Sequence, residues 1–437
     1  MIDDPLLPAA AHLVGSDARS LLAAAVQSAG GSLLDASLVQ IQHRPSHDVV
    51  ARFEVTVAWC GGPPRAETLL AGCTPEGAPA GTLPMEADGI HAGVWRYPFD
   101  PRLPGLATAV TPGRLARYLD PVVGPDARLE VVAYRPIRRA VIRATGVDGR
   151  TAYVKVVRPA KTTEIAAAHE RLQRAGLAVP EVLGVDATEG LLVLAALDGV
   201  NLRDQLLGET RGWPPAQQHL ELSARLATVP AATFGPGAPT VDLGHAARSH
   251  ARAIGAILAT ATRPLERIVG GVGHLAAGPP PAQVTVHGDL YEAQLMVRDG
   301  RIVGLLDLDD VGPGHPLDDL ATTLGHLHLL QPSTRRHRDH LRRYRTALRD
   351  TFATERDTSG GRELDLRTAA VLVGLAVGPF RSQRSDWPTE VHRRLAIADR
   401  LVQSAAPAHE NTLSTTSRTR HAPVRERDHE VATAPRP

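Results

Sequence analysis

Lysine is nearly missing from this chain. Lys155 and Lys161 are its two lysines, and arginine supplies every other basic residue apart from histidine. Cysteine is scarce as well. Cys60 and Cys73 make no disulfide framework, and a reducing cytoplasm is the expected compartment. Aromatic residues are 3% of the chain, too few for the base-stacking platforms of single-strand binders. A net charge of +1 excludes the basic footprint of a nucleic-acid protein. No apolar run approaches the roughly 20 residues that span a bilayer. The opening MIDDPLLPAAAHL is acidic at its start and lacks the basic-then-apolar pattern of a signal peptide. Neither nucleic acid nor membrane is an expected partner.

What is present is patterned. A length of 437 residues predicts two or three domains. Residues 16–29 read as a helix, and 37–43, 49–59, 66–73 and 93–97 as strands. In the second of these, Phe53, Val55 and Val57 alternate with Arg52, Glu54 and Thr56, the mark of a half-buried antiparallel strand. Thr111-Pro112 opens a helix reaching Leu119. From Arg128 the pattern becomes strand, strand, strand, helix, then the buried-type run LLVLAA at 191–196. Helices dominate after 201. The cluster Val269-Gly270-Gly271-Val272-Gly273 reads as a turn. Residues 406–437 are charged and poor in apolar residues, and predict a disordered tail.

Lys155 stands inside TAYVKVV and shares its face with Tyr153 and Val157. A lysine buried unpaired among apolar residues is costly and needs an anion.

The stretch 284–321, VTVHGDLYEAQLMVRDGRIVGLLDLDDVGPGHPLDDLA, concentrates the chemistry. It reads as a strand end, a loop, a hairpin turning at Arg298-Asp299-Gly300, and a second loop. The hairpin should bring Gln294 and Asp307 together, with Asp289 on the loop leading in. Two carboxylates and an amide oxygen, with no thiolate, suit Mg²⁺ held partly by substrate phosphates. An additional Asp beside such a metal can take a proton from an attacking hydroxyl, as phosphoryl transfer requires.

These residues resemble a known family. HGDLYEAQ is similar to the HxDxxxxN loop of the aminoglycoside phosphotransferase and choline kinase-like group, LLDLDD to its IDF(G/D) segment, and GPGHPLDDLA to its GDPxxDLA continuation. The resemblance implies a protein kinase-like fold using ATP and Mg²⁺. Asp289 would be the catalytic base, Gln294 and Asp307 the metal ligands, and Asp319 a supporting carboxylate. Lys155 would bind phosphate with Glu164 as its helix partner, Glu170 being the competitor. Ala195 to Leu197 would border the adenine through backbone groups. His287 would be an anchor.

Three departures stand out. Gln294 replaces the usual Asn, as in the maltokinase and glucosamine kinase branch, whose extra N-terminal domain this chain also resembles. His315 replaces an Asp. The turn Pro136-Ile137-Arg138-Arg139 has no glycine, so that Arg138 and Arg139 are either guanidinium contacts to phosphate or solvated surface arginines.

The expected architecture is α+β. A small α+β cap domain (1–126) precedes a kinase-like N-lobe and hinge (127–200), a helical C-lobe (201–405) and a tail (406–437). The expected acceptor is a small hydroxylated molecule, a sugar or amino sugar. Candidate contacts are Glu292 on the catalytic loop, and Arg381, Asp386 and Trp387 between two helices, where Trp387 serves equally as a helix-junction anchor. The competing readings are an aminoglycoside or macrolide kinase and a non-catalytic pseudokinase or interaction protein.

Overall fold

The computed structural model describes residues 2–87, 90–208, 211–234, 242–276, 283–355 and 358–406. The expected tail therefore lies outside the described residues from 407 onward. The chain combines helices with antiparallel sheets, an α+β architecture. Among the described residues no helix is long and apolar enough to cross a membrane.

The chain begins with α1 (Ala9–Leu13) and α2 (Ala18–Ser28), then a five-stranded antiparallel sheet. Its strands are β1 (Gly31–Arg44), β2 (Asp48–Trp59), β3 (Arg65–Cys73), β4 (Leu83–Ala87) and β5 (Ile90–Arg96), in the order β1-β2-β3-β5-β4. Alternation in β2 divides its side chains between two environments. Ala51, Phe53, Val55 and Val57 join a core that includes α1 and α2. Val50 points the other way, with Leu70 and Trp95.

Next come α3 (Leu106–Ala109) and α4 (Pro112–Val123). They precede the expected boundary at 126, yet Leu106, Leu115, Leu119 and Val123 pack on the second sheet. That sheet holds β6 (Arg128–Arg135), β7 (Arg139–Thr145), β8 (Thr151–Val157), β9 (Val182–Asp186) and β10 (Leu191–Ala195), ordered β6-β7-β8-β10-β9. Its other face meets α5 (Pro159–Arg174) through Val157, Ile165, Ala166, Leu192 and Leu194. Lys155 lies on β8 between Val141 of β7 and Leu192 of β10.

The remainder is mainly helical: α6 (Leu202–Gly208) after the short β11 (Val200–Asn201), α7 (Ala216–Ala227), α8 (Leu243–Gly255) and α9 (Thr262–Val272). Then come β12 (Val284–Val286), the hairpin β13 (Leu295–Arg298) and β14 (Arg301–Leu305), and β15 (Gly312–Gly314). Among the described residues five further helices follow: α10 (Asp318–Leu329), α11 (Arg335–Glu355), α12 (Thr358–Ala376), α13 (Gly378–Arg381) and α14 (Trp387–Ala405). Gly270 and Gly271 lie inside α9, and do not form the expected turn. A Cβ on Gly271 would sit 2.2 Å from Cγ1 of Val402, so glycine here lets α9 approach α14.

Apolar residues of α8, α9, α12 and α14 share one continuous core with the first sheet. The other face of that sheet holds the turn between β6 and β7. Ile137 sits there beside Val50, Leu70 and Trp95, in a left-handed conformation with φ 58°. A β-branched residue adopts this conformation only at a cost. Asp100 holds it: its carboxylate accepts from the Ile137 amide at 2.8 Å and the Tyr134 hydroxyl at 2.8 Å.

Asp100→Ala strands two donors in a buried place. It is expected to lower the unfolding free energy by about 1–3 kcal/mol in denaturant titration; an unchanged midpoint contradicts this account of the turn.

Candidate active site

The hairpin turn Arg298-Asp299-Gly300-Arg301 has positive φ at both central residues, 51° and 71°, the geometry that Asp-Gly favours. Leu295 pairs with Leu305, and just beyond, the Leu306 amide donates to the Gln294 carbonyl at 2.8 Å. This register sets Nε2 of Gln294 3.4 Å from Oδ2 of Asp307. Asp307 leaves the strand in a left-handed conformation, φ 58°, which a short polar residue tolerates better than most.

The loop carrying Asp289 is tied from below. Asp319, buried in the first turn of α10, accepts from the amides of His287 at 2.8 Å and Gly288 at 3.0 Å. The His287 ring bridges the two loops. A proton on Nε2 reaches the Leu306 carbonyl at 2.8 Å, and Nδ1 faces the Asp289 amide at 3.3 Å. Gly288 has φ 84°, and a Cβ there would lie 2.4 Å from the carbonyl oxygen of Asp310; only glycine lets the loops approach this closely. Burial pushes the Asp289 carboxyl up to about 7, helped by the nearby charges of Asp307 and Asp310 and opposed by Arg139 and Arg135.

Lys155 crosses from the second sheet to the hairpin. Its ammonium lies 2.7 Å from Oδ1 of Asp307 and 2.5 Å from Oδ1 of Asp309, with the side chain 6% exposed. Arg139 completes a four-charge cluster, 2.9 Å from each of the same carboxylates. Burial would raise the Asp307 carboxyl, but Lys155 and Arg139 outweigh it and hold it below the usual range. Lys155 is the mirror case: burial disfavours its charge, and Asp309 and Asp307 restore it to above the ordinary lysine value.

Several expected contacts are not formed. Glu164 pairs with Lys161 at 2.7 Å, not with Lys155, because a neighbour three residues away on the same helix satisfies it. Glu292 is fully buried and clamped by Arg203 at 2.7 and 2.9 Å; it faces the interior, where an acceptor amine has no access. Arg203 also lies 5.1 Å over the Tyr291 ring, which stacks on His326. Asp386 is exposed and bound to Arg384 at 2.7 Å. Trp387 meets Phe380 edge-on at 5.0 Å, the helix-junction alternative. The Ala195 amide is engaged by the Glu181 carbonyl at 2.9 Å, and the Leu197 side chain lies over Gly304. Arg138 and Arg381 line a cavity of about 380 Å³ bordered by Asp309 and Asp310. The sequence offered no sign of the parts played by Asp100 and Arg203.

Asp307 and Gln294 offer one carboxylate and one amide oxygen, and among the described residues no group of three or more His, Cys, Asp or Glu could hold a metal by itself. So small an all-oxygen set fits a hard cation that draws its other ligands from phosphate and water.

Residues 137–349 match the phosphotransferase enzyme family. The matched segment runs from the Ile137 turn through the hairpin to α11, and so contains the whole charged cluster. Among solved structures, a thermostable mutant of aminoglycoside phosphotransferase APH(4)-Ia, in ternary complex with AMP-PNP and hygromycin B, is 15% identical, covering 67% of this chain and 99% of that one with a TM-score of 0.49. Macrolide 2′-phosphotransferase MphH from Brachybacterium faecium is 19% identical over 64% and 95% of the two chains, with a TM-score of 0.41. A choline/ethanolamine kinase family protein from Mesorhizobium loti is 18% identical over 67% and 93%, with a TM-score of 0.47. No curated protein matches the chain.

The raised Asp289 carboxyl has a consequence for stability. An unfolded Asp titrates near ~3.9, so between about 4 and 7 the folded state holds the extra proton, and stability falls as pH rises. In the absence of nucleotide and metal, Asp289→Asn is expected to be more stable than wild type by about 1–4 kcal/mol at pH 8 and nearly equal to it at pH 4. Urea titrations at the two pH values check this; a wild-type advantage at pH 8 contradicts it.

Proposed function

We propose that this chain is an ATP-dependent phosphotransferase with a kinase-like bilobal core, moving the γ-phosphoryl group to a hydroxyl of a small molecule. The observation that carries the reading is convergence: Lys155 from β8, Asp289 from the catalytic loop, and Gln294 and Asp307 from the hairpin meet at one mouth. A pseudokinase reading predicts the loss of one of these residues, and the presence of all four supports a catalytic reading.

Each residue has a role in the reaction. Lys155 and Arg139 present cations to phosphate oxygens. Gln294 and Asp307 would hold Mg²⁺, which supplies charge neutralisation along the phosphate chain. Asp289, when ionised, orients the acceptor hydroxyl and takes its proton. The acceptor oxygen forms the new bond to phosphorus as the bond to the β-phosphate bridging oxygen breaks, and ADP leaves with that electron pair. Asp319 and His287 keep Asp289 in place. A reaction that consumes ATP fits the cytoplasm, the compartment we favour.

A sugar is the acceptor we favour; an amino sugar or aminoglycoside fits less well, because the cavity near Asp310 is lined by six arginines and one lysine against two carboxylates. The first domain resembles a cap in its place before the core, and its contact with Ile137 supports a role in steadying the turn over the phosphates.

ATP consumption measured against sugars, sugar acids, choline and aminoglycosides tests the reading. Turnover with one acceptor is expected, with kcat reduced about 10²–10⁴-fold in Asp289→Asn. Equal turnover by the variant overturns the role given to Asp289.

A further inference from the structure

The cavity of about 380 Å³ has an unusual wall. Separate parts of the chain enclose it: the end of β1 with Arg44, the β6–β7 turn with Arg135 and Arg138, the start of α5 with Arg158, His250 of α8, and Asp309 and Asp310. Arg381 of α13 lines it as well. Its volume falls within the roughly 300–1,000 Å³ of small-molecule sites.

The wall lacks carboxylates to match its cations. Arg44 is matched by Asp48, Lys161 by Glu164, and Arg139 by Asp307 and Asp309. Arg135, Arg138, Arg158 and Arg381 have no carboxylate within 4.0 Å among the described residues. Asp309 is already held by Lys155 and Arg139. The Nε of Arg381 is buried with no hydrogen-bond partner. Burial and then the neighbouring guanidiniums push Arg138 and Arg381 down to about 10. Arg135 is exposed, but Arg138, Arg158 and Arg381 are partly shielded, and gathering like charges with reduced access to water is unfavourable unless an anion joins them.

The position is equally informative. Asp310 lines the cavity, and its carbonyl oxygen packs against Gly288, next to Asp289. Arg135 lines it too and acts electrostatically on Asp289. Of the cations expected to face ATP, Lys155 and Arg139 point at Asp307, whereas Arg138 lines this cavity. The unpaired arginines extend from there toward β1 and α13.

We propose that this cavity binds the anionic group of the acceptor, so that the substrate is a hydroxylated molecule bearing a phosphate or carboxylate. The proposal rests on the phosphotransferase reading. Arg381, Arg158 and Arg138 fix the anion, and the acceptor hydroxyl lies over Asp289. A polycationic acceptor is disfavoured by the same wall.

The test is calorimetric titration of the full chain saturated with Mg²⁺·AMP-PNP. Glucose 6-phosphate and glucuronate serve as phosphate and carboxylate probes, with glucose and kanamycin as neutral and cationic controls. At least one anionic probe is expected to bind tenfold or more tighter than glucose, and to weaken tenfold or more in both Arg381→Gln and Arg158→Gln. Both variants should take up Mg²⁺·AMP-PNP as wild type does, which also shows that they fold. Anionic probes binding no better than glucose, or unaffected by both substitutions, overturn the proposal. So does displacement of the probe by Mg²⁺·AMP-PNP, which would assign the cavity to the nucleotide phosphates. Failure of Mg²⁺·AMP-PNP itself to bind is a distinct result: it removes the phosphotransferase reading and the acceptor assignment with it.

Discussion

Two cations and two carboxylates meet where the second sheet faces the hairpin, and the rest of the site depends on that meeting. Lys155 and Arg139 come from adjacent strands of one sheet; Asp307 and Asp309 follow the end of β14. Removing each charge from water costs several kcal/mol, and mutual attraction offsets this only where the geometry is good. The cluster therefore fixes the sheet relative to the hairpin. It also holds Asp307 below the usual carboxylate range, while burial and the nearby charges of Asp307 and Asp310 push the Asp289 carboxyl up to about 7. Two carboxyls in neighbouring environments are pushed in opposite directions, a pattern that separates a charge-holding role from a proton-transfer role.

Supporting contacts explain why the arrangement holds. Asp319 binds two successive amides of the Asp289 loop, and His287 ties that loop to the chain just before Asp307. On the other side, the turn carrying Arg138 is seated on the first sheet through Ile137 and fastened by Asp100. Flexible glycine-rich turns can mould themselves to phosphate; this one is shaped in advance by packing. The first sheet and helices α8, α9, α12 and α14 share a core, so the seat is anchored in the helical part of the molecule.

Local patterns in the sequence were readable, and pairings across long separations were not. The Asp-Gly turn and alternating apolar runs gave the hairpin, and with it the closeness of Gln294 and Asp307. Lys155 stood out as a lone charge in an apolar strand. Its partners did not, because Asp309 is 154 residues away and the choice between it and Glu164 depends on which helix face docks. Glu292 is clamped by Arg203, 89 residues earlier, a pairing that no local pattern signals. Gly270 and Gly271 read as a turn because their packing partner, Val402, lies in a distant helix. The basic cavity was invisible for the same reason: its arginines are scattered along the chain and only the fold gathers them.

The most direct test of the central claim is nucleotide binding measured with and without Mg²⁺ in wild type and Asp307→Asn. The account predicts Mg²⁺-dependent binding of AMP-PNP by wild type and a loss of that dependence in the variant. Binding that is equally tight in both proteins and indifferent to Mg²⁺ would contradict it.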